Sequence, residues 1–297
     1  MSLRIVTSEM YANLLSAMNM DRQNLNQASE EASTGQSVNY LSDNPMAAGQ
    51  LVLNRTQVDA VDQFTHSISS VQGSLQVADS AMNSVVQSLT QAVSVGTQGG
   101  NGTLSTSERA ALSQQVDAIK QQIVGLANTS YQGNYLFAGS AVKTQPYVAA
   151  NTPSGVQYAG NAEVNNVQVG AGQTVAMNMP GSQLFNGSGA DVFQALTDLS
   201  SAIQNNTDVS GSLTSVQNAL NNVTGQRTFY GNTLQQLSSQ NTNLGQEKLT
   251  LTQIQNSLIA VDPAKAATDL AQAQTTLQMA LAATGRISQD NLLDYLK

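Results

Sequence analysis

Apolar residues recur at alternating spacings of three and four along most of this chain, and one central stretch abandons that rhythm. Near the start, Tyr11, Leu14, Met18, Leu25, Ala28 and Ala32 keep it, with Asp21 in one of the apolar slots. The segment "STGQSVNYLSDNP" interrupts: Gly35 ends a first helix, and Asn44-Pro45 opens a second as N-cap and first helical residue. Val61, Phe64, Ile68, Val71, Leu75, Ala78, Met82, Val85, Leu89 and Ala92 then hold the alternation without a break. Such a seam predicts a long rod-like helix that seeks partner helices. The run "GTQGGNGTLS" is expected to stop it. Ser105 and Glu108 match a capping box, and Leu112, Val116, Ile119, Ile123 and Leu126 form a stripe long enough to return antiparallel.

From about Val142 to Gly189 the helical period disappears. Pro146-Tyr147-Val148, Val156-Gln157-Tyr158, Val164 to Val169 and Thr174 to Met179 read as strands of a small β domain, punctuated by Gly, Pro and Asn. Val192, Leu196, Leu199 and Ile203 mark a short helix after Asp191. A second long seam follows through Leu213, Val216, Leu220, Val223, Tyr230, Leu234, Leu237, Leu244 and Leu251, with Arg227, Asn241 and Lys248 as polar insertions. Asp262-Pro263 caps a last helix carrying Leu270, Ala273, Leu277, Ala280, Thr284 and Ile287. The expected fold is mainly α: an antiparallel, coiled-coil-like bundle of N- and C-terminal segments around a β-rich insert. Its outgoing and returning helices can pack together, and the two terminal helices can meet each other. The terminal seams use Ala and Thr where globular cores use Leu and Ile, which suits ordering on assembly with neighbouring copies.

Composition narrows the function. A length of 297 residues argues for more than one structural unit. The net charge of −8, with no run of Lys or Arg, speaks against electrostatic binding to nucleic acid or an anionic membrane. The absence of cysteine excludes disulfides, thiol catalysis and thiolate metal sites. The opening "MSLRIVTSEMYANLLSAMNMDRQ" has no apolar core and no small-residue cleavage site, so a cleaved Sec-type leader is not expected.

Chemistry is equally sparse. His66 is the single histidine and reads as a surface position beside Phe64 and Ile68. Glu30-Glu31 and Asp59/Asp62 read as solvated helical carboxylates, with no nucleophile beside them. "GTQGGNG" lacks the lysine and the strand-to-helix setting of a phosphate loop. Met10, Met18, Met20 and Met82 fall at or near seams, as core filler. No catalytic, cofactor or metal site is expected. One stretch does stand out: "QGNYLFAG", directly after Tyr131, adds Tyr135 and Phe137 among glycines, in a chain that is 4% aromatic.

Four stretches together resemble the flagellin-like family, and within it the subunits of the hook–filament junction. "EEASTGQSVNYLSDNPMAAGQ" is similar to the family's N-terminal acidic-Ala-Thr-Gly turn and Ser-Asp-Asp-Pro helix start, with Asn44 where Asp is common. "NYLFAGSAVKTQPY" resembles a Tyr-Leu-Phe-Gly element of the junction subunits. "VQYAGN", then "VQVGAGQTVAMNMPGSQLF", resembles the insert with its glycine and Pro-Gly turns. The terminal "NLLDYLK" is similar to a Ser-Leu-Leu-Asp-Tyr-Leu ending, with Asn291 in the Ser position. Flagellin's own Ala-Asn-Gln ending is absent.

The resemblance implies a structural, non-enzymatic subunit of the bacterial flagellum, placed as a ring between the first hook-associated junction protein and the flagellin filament. It implies export through the flagellar type III apparatus on an uncleaved signal, with a dedicated chaperone on the C-terminal segment, and an extracellular destination. Segments 1–44 and 261–297 are then expected to form the axial coiled coil, 45–141 with 190–260 the long-helix bundle, and 142–189 the β-rich domain. The expected assembly face comprises Leu14, Met18 and Leu25, then Leu270, Leu277, Leu281 and Ile287, and the tip Leu292, Leu293, Tyr295 and Leu296. Gly133, Tyr135, Phe137 and Gly139 are expected to build the corner where the returning helix enters the β domain. A flagellin-type filament subunit and a type III secreted coiled-coil effector or tip protein are the alternatives.

Overall fold

The computed structural model describes residues 2–40, 42–187 and 190–295, with backbone alone at 2–8, 10–11 and 287–295. Seven helices and eight short strands follow in order among them: α1 (Ser2–Thr34), α2 (Pro45–Gly99), α3 (Thr106–Ala127), β1 (Ser130–Tyr131), β2 (Asn134–Tyr135), β3 (Tyr147–Ala149), β4 (Val156–Tyr158), β5 (Asn166–Gly170), β6 (Gln173–Ala176), α4 (Gly181–Leu184), β7 (Asn186–Gly187), β8 (Ala190–Asp191), α5 (Val192–Asn205), α6 (Val209–Ile259) and α7 (Pro263–Tyr295). The chain divides into two compact units, Met1–Asp59 with Lys248–Lys297, and Ala60–Glu247. Both divisions fall inside long helices, α2 and α6.

In the terminal unit α1 lies against α7, and the Thr284 hydroxyl approaches the Met18 sulfur at 3.4 Å. The two helix breaks are joined to each other. Gly35 turns the chain with φ +69°, Gln36 forms an antiparallel bridge with Ala260, and Ser37 N donates to Ile259 O at 2.7 Å. Asn44 Oδ1 accepts from Ala47 N at 3.1 Å, and Asp262 Oδ1 accepts from Ala264 N at 2.8 Å, so each break restarts its helix with a side-chain cap. Asn54 sits seven residues before Val61 on the α2 seam; it is buried, and its amide donates to Leu251 O of α6 at 3.1 Å.

In the central unit the α2 seam buries Val61, Ile68, Val71, Leu75, Ala78, Met82, Val85, Leu89 and Ala92. The glycine run does not end this helix where it begins. Gly96 and Gly99 occupy the next two seam positions and are helical. A Cβ on Gly96 would lie 2.9 Å from Leu213 and 3.2 Å from Leu199, and one on Gly99 would lie 2.6 Å from Ile203. These glycines form a notch that admits α5 and the start of α6. The helix stops only after them.

Helix α3 begins with the capping box in full: Ser105 N donates to Glu108 Oε2 at 2.7 Å, and Glu108 N donates to Ser105 Oγ at 3.3 Å. Those bonds from Ser105 hold the Glu108 carboxyl below its ordinary range. The helix returns along α2, which brings the Tyr131 hydroxyl within 2.7 Å of where a Cβ on Gly73 would sit. Its buried stripe is Ser113, Val116, Ile119, Ile123 and Ala127, while Leu112 and Leu126 are half-buried. The reason is α5, which packs so closely that the Ser113 and Ser200 hydroxyls meet at 2.9 Å in the interior.

Helix α6 buries Val209, Val216, Val223, Tyr230 and Leu237, one residue in every seven, and Leu244 continues the row. Arg227 pairs across to α2: Nε and Nη2 hold Asp79 at 2.7 and 3.1 Å, and Nη1 reaches Asn83 Oδ1 at 2.9 Å. The strands form four separate antiparallel pairs among the described residues, β1–β2, β3–β4, β5–β6 and β7–β8. Tyr147 pairs with Tyr158, and Val167 pairs with Val175, where the alternating apolar positions require them.

The aromatic corner and the terminal helix face

The corner begins where α3 ends. Asn128 caps the helix and holds Tyr147 at both backbone groups: its Nδ2 donates to Tyr147 O at 2.8 Å, and its Oδ1 accepts from Tyr147 N at 2.9 Å. The β1–β2 hairpin then turns on Gln132 and Gly133, with φ of 50° and 76°. Two central residues with positive φ make the type I′ turn that matches strand twist. Gly139, with φ +70°, is a harder constraint. A Cβ there would lie 2.2 Å from Asn161 O.

Phe137 is fully buried and meets Phe185 edge-on, with ring centroids 5.7 Å apart. Tyr147 is the hub of the cluster, with Tyr158, Phe185 and Phe193 at 5.2, 5.5 and 4.9 Å. Burial pushes the phenols of Tyr147 and Tyr158 up from their ordinary value. Both are hydrogen-bonded: Tyr147 OH donates to Asn186 Oδ1 at 2.8 Å, and Tyr158 OH lies 2.9 and 2.8 Å from the carbonyls of Phe137 and Asn161. Of the corner residues expected from sequence, Phe137 joins this cluster and Gly133 and Gly139 make its turns. Tyr135 stands apart, half-buried in the wall of a cavity of about 110 Å³ shared with Tyr131, Leu136 and Met177. The hub Tyr147 lies far along the chain from its partners Phe185 and Phe193, with no common period. Nothing local in the sequence signals their meeting.

The cavity lining carries neither a carboxylate nor a histidine. His66 is exposed on α2. Among the described residues no three or more His, Cys, Asp or Glu side chains converge as a metal would require, and no helix is long and apolar enough to cross a membrane.

On the terminal helices Leu14, Met18, Leu25, Leu270 and Leu277 are half-buried within the chain, while Leu281 is 47% exposed. The side chains of Ile287, Leu292, Leu293 and Tyr295, and all of Leu296, lie outside the described residues. Three further large apolar side chains face outward beside Leu281: Leu15, Met20 and Met279 are 55%, 60% and 61% exposed. An open groove between α1 and α7 carries Asp21, Glu31 and Asp269 with Gln27, Gln272 and Thr276, so this helix pair is sealed by little apolar surface.

The long terminal helices α1 and α7 lie beside each other, and the small hairpins fall between them in chain order. The bacterial flagellin N-terminal helical region matches residues 5–142, and the bacterial flagellin C-terminal helical region matches residues 213–296. The chain belongs to the flagellin family. Its relatives there include flagellar hook-associated protein 3 of Salmonella typhimurium, 30% identical over 186 residues, which are 62% of this chain and 57% of that protein. The Escherichia coli hook-associated protein 3 is 28% identical over 185 residues, again 62% and 57%. The match therefore spans a little over half the length of these curated relatives. A flagellar hook-associated protein from Vibrio parahaemolyticus shares the fold at a TM-score of 0.68 and 22% identity, over 73% of this chain and 100% of that one.

Proposed function

We propose that this chain is a structural subunit of the bacterial flagellum at the hook–filament junction, adapting the hook-associated ring to the flagellin filament. The observation that carries the reading is the terminal helix pair. It buries only Ala28 of the described α1 side chains and Ala266 of those of α7, and it presents Leu15, Met20 and Met279 outward. Apolar side chains at that exposure on both helices suit contact with neighbouring subunits. The similarity to hook-associated protein 3 supports the junction in particular.

The partners are then neighbouring copies in a ring, the first hook-associated junction protein on one side and flagellin on the other. A flagellar export chaperone would hold the C-terminal segment before passage through the type III apparatus. The subunit works by contact and stiffness, not by a reaction, and no cofactor enters.

The absence of cysteine makes a direct test simple. Ser80→Cys, at an exposed position on α2, can be labelled with a maleimide dye on living cells. The junction reading expects one fluorescent spot at the base of each filament. Label along the whole filament would assign the chain to the filament itself, and label absent from flagella would favour a secreted effector or tip protein.

A further inference from the structure

Two Asn-Gly pairs occur in the chain, Asn101-Gly102 and Asn186-Gly187. A glycine after asparagine leaves its backbone nitrogen unshielded, because no Cβ blocks approach to the asparagine side chain. The fold treats the two pairs in opposite ways.

Asn101 and Gly102 lie in the connection between α2 and α3, and both are exposed. No heavy atom lies within 4 Å of where a Cβ on Gly102 would point. The Gly102 N–H donates to no backbone carbonyl among the described residues. Meanwhile Asn101 Oδ1 accepts from Thr103 N at 3.2 Å and from Thr103 Oγ1 at 2.9 Å. Two donors on that oxygen draw electron density from the amide carbon and hold the side chain beside the following peptide. Asn186 is clamped instead. Its Oδ1 accepts from Tyr147 OH, its Nδ2 donates to Asp191 Oδ2 at 2.7 Å, and it is paired with Asp191 in the β7–β8 ladder. Gly187 is shielded by Asn222, whose amide nitrogen would lie 3.0 Å from a Cβ there.

We propose that Asn101 is a site of spontaneous backbone modification, deamidating through a cyclic imide with water as co-reactant, while Asn186 is protected by the fold. The Gly102 nitrogen attacks Asn101 Cγ, the bond from Cγ to the side-chain nitrogen breaks, and ammonia leaves with the proton given up by Gly102 N. Water then adds to either imide carbonyl and opens the ring. The product is aspartate or isoaspartate at position 101, with no change of oxidation state. Either product places a carboxylate two residues beyond Gly99, at the carbonyl-rich end of α2, where the helix dipole disfavours negative charge. Isoaspartate also adds a backbone atom to a turn in which Leu104 N donates to Asn101 O at 3.3 Å and Arg109 Nη1 donates to Leu104 O at 2.6 Å. Modification therefore loosens the entry to α3.

The test is incubation of the purified full-length protein in warm, mildly alkaline buffer. Peptide mass spectrometry and isoaspartyl methyltransferase labelling then follow both sites over time. Deamidation at Asn101 with Asn186 intact is expected, with the rate at Asn101 strongly reduced in Gly102→Ala. In urea, where the fold is lost, both asparagines should react. An unreacted Asn101 in folded protein beside a reacting urea control overturns the proposal, and so do equal rates at the two sites in the folded chain.

Discussion

Ser37 and Ile259 stand 222 residues apart in the chain, and the Ser37 hydroxyl and backbone N–H both reach the Ile259 carbonyl, at 3.2 and 2.7 Å. This contact ties the break after α1 to the break before α7. Two helices that leave such a joint side by side are placed for pairing without a deep core between them.

Hydrogen exchange of the free subunit should reflect that shallow pairing. Helices held mainly by a tied end and half-buried side chains open at low cost, while the seven-residue rows of α2 and α6 within Ala60–Glu247 open only with the core. The amides of α1 and α7 are expected to exchange orders of magnitude faster than those around Val85 and Val223. Uniform protection along the chain would show the terminal pair to be as stable as the core, and would leave no ordering for assembly to supply.

The corner offers a graded comparison. Phe137→Ala removes a fully buried ring and is expected to cost about 3–5 kcal/mol. Gly172→Ala forces a left-handed conformation (φ +72°) in open space, and should cost about 1–2 kcal/mol. Gly139→Ala adds to similar backbone strain a clash with Asn161, so it should exceed Gly172→Ala clearly. Urea unfolding of the three variants checks the order. Equal losses at the two glycines would mean that Asn161 yields.

Tyr230 points to an unexpected gain. Its side chain is 1% exposed and its hydroxyl has no hydrogen-bond partner among the described residues. Tyr230→Phe should therefore raise stability at neutral pH, by about 1 kcal/mol, the scale of an unpaired buried polar group. Burial also raises the Tyr230 phenol above its ordinary value. A folded-state pKa above the unfolded one gives stability that is full below the unfolded value, about 10, and is lost as pH rises beyond it. Tyr147 and Tyr158 act in the same direction. Thermal melts should fall steeply above that pH, less so for Tyr230→Phe. A destabilised Tyr230→Phe at pH 7 would mean that the hydroxyl has a partner in solution.

Periodicity made the helices and the middle strands legible, because each buries a face repeated along one segment. The caps at Asn44, Ser105 and Asp262 were equally readable, since capping needs only a side-chain oxygen and the next turn. What sequence reading missed depends on other segments. Gly96 and Gly99 look like a stop signal until Leu199, Ile203 and Leu213 arrive to fill the space they leave. The stripe of α3 moves onto Ser113 because Ser200 faces it. Tyr135, drawn into the corner by its neighbours in sequence, lines a cavity instead, and the hub role falls to Tyr147. On the terminal helices Leu14, Met18, Leu25, Leu270 and Leu277 are half-buried within the chain, and Leu15, Met20 and Met279 join Leu281 as outward apolar positions.

The central claim concerns place and consequence in the flagellum. Electron microscopy of cells from which the gene for this chain has been deleted tests it most directly. A junction subunit predicts finished hooks on the cell surface with no filament attached, flagellin shed into the medium, and filaments restored by the gene in trans. Full-length filaments of normal number on the deletion strain would contradict it.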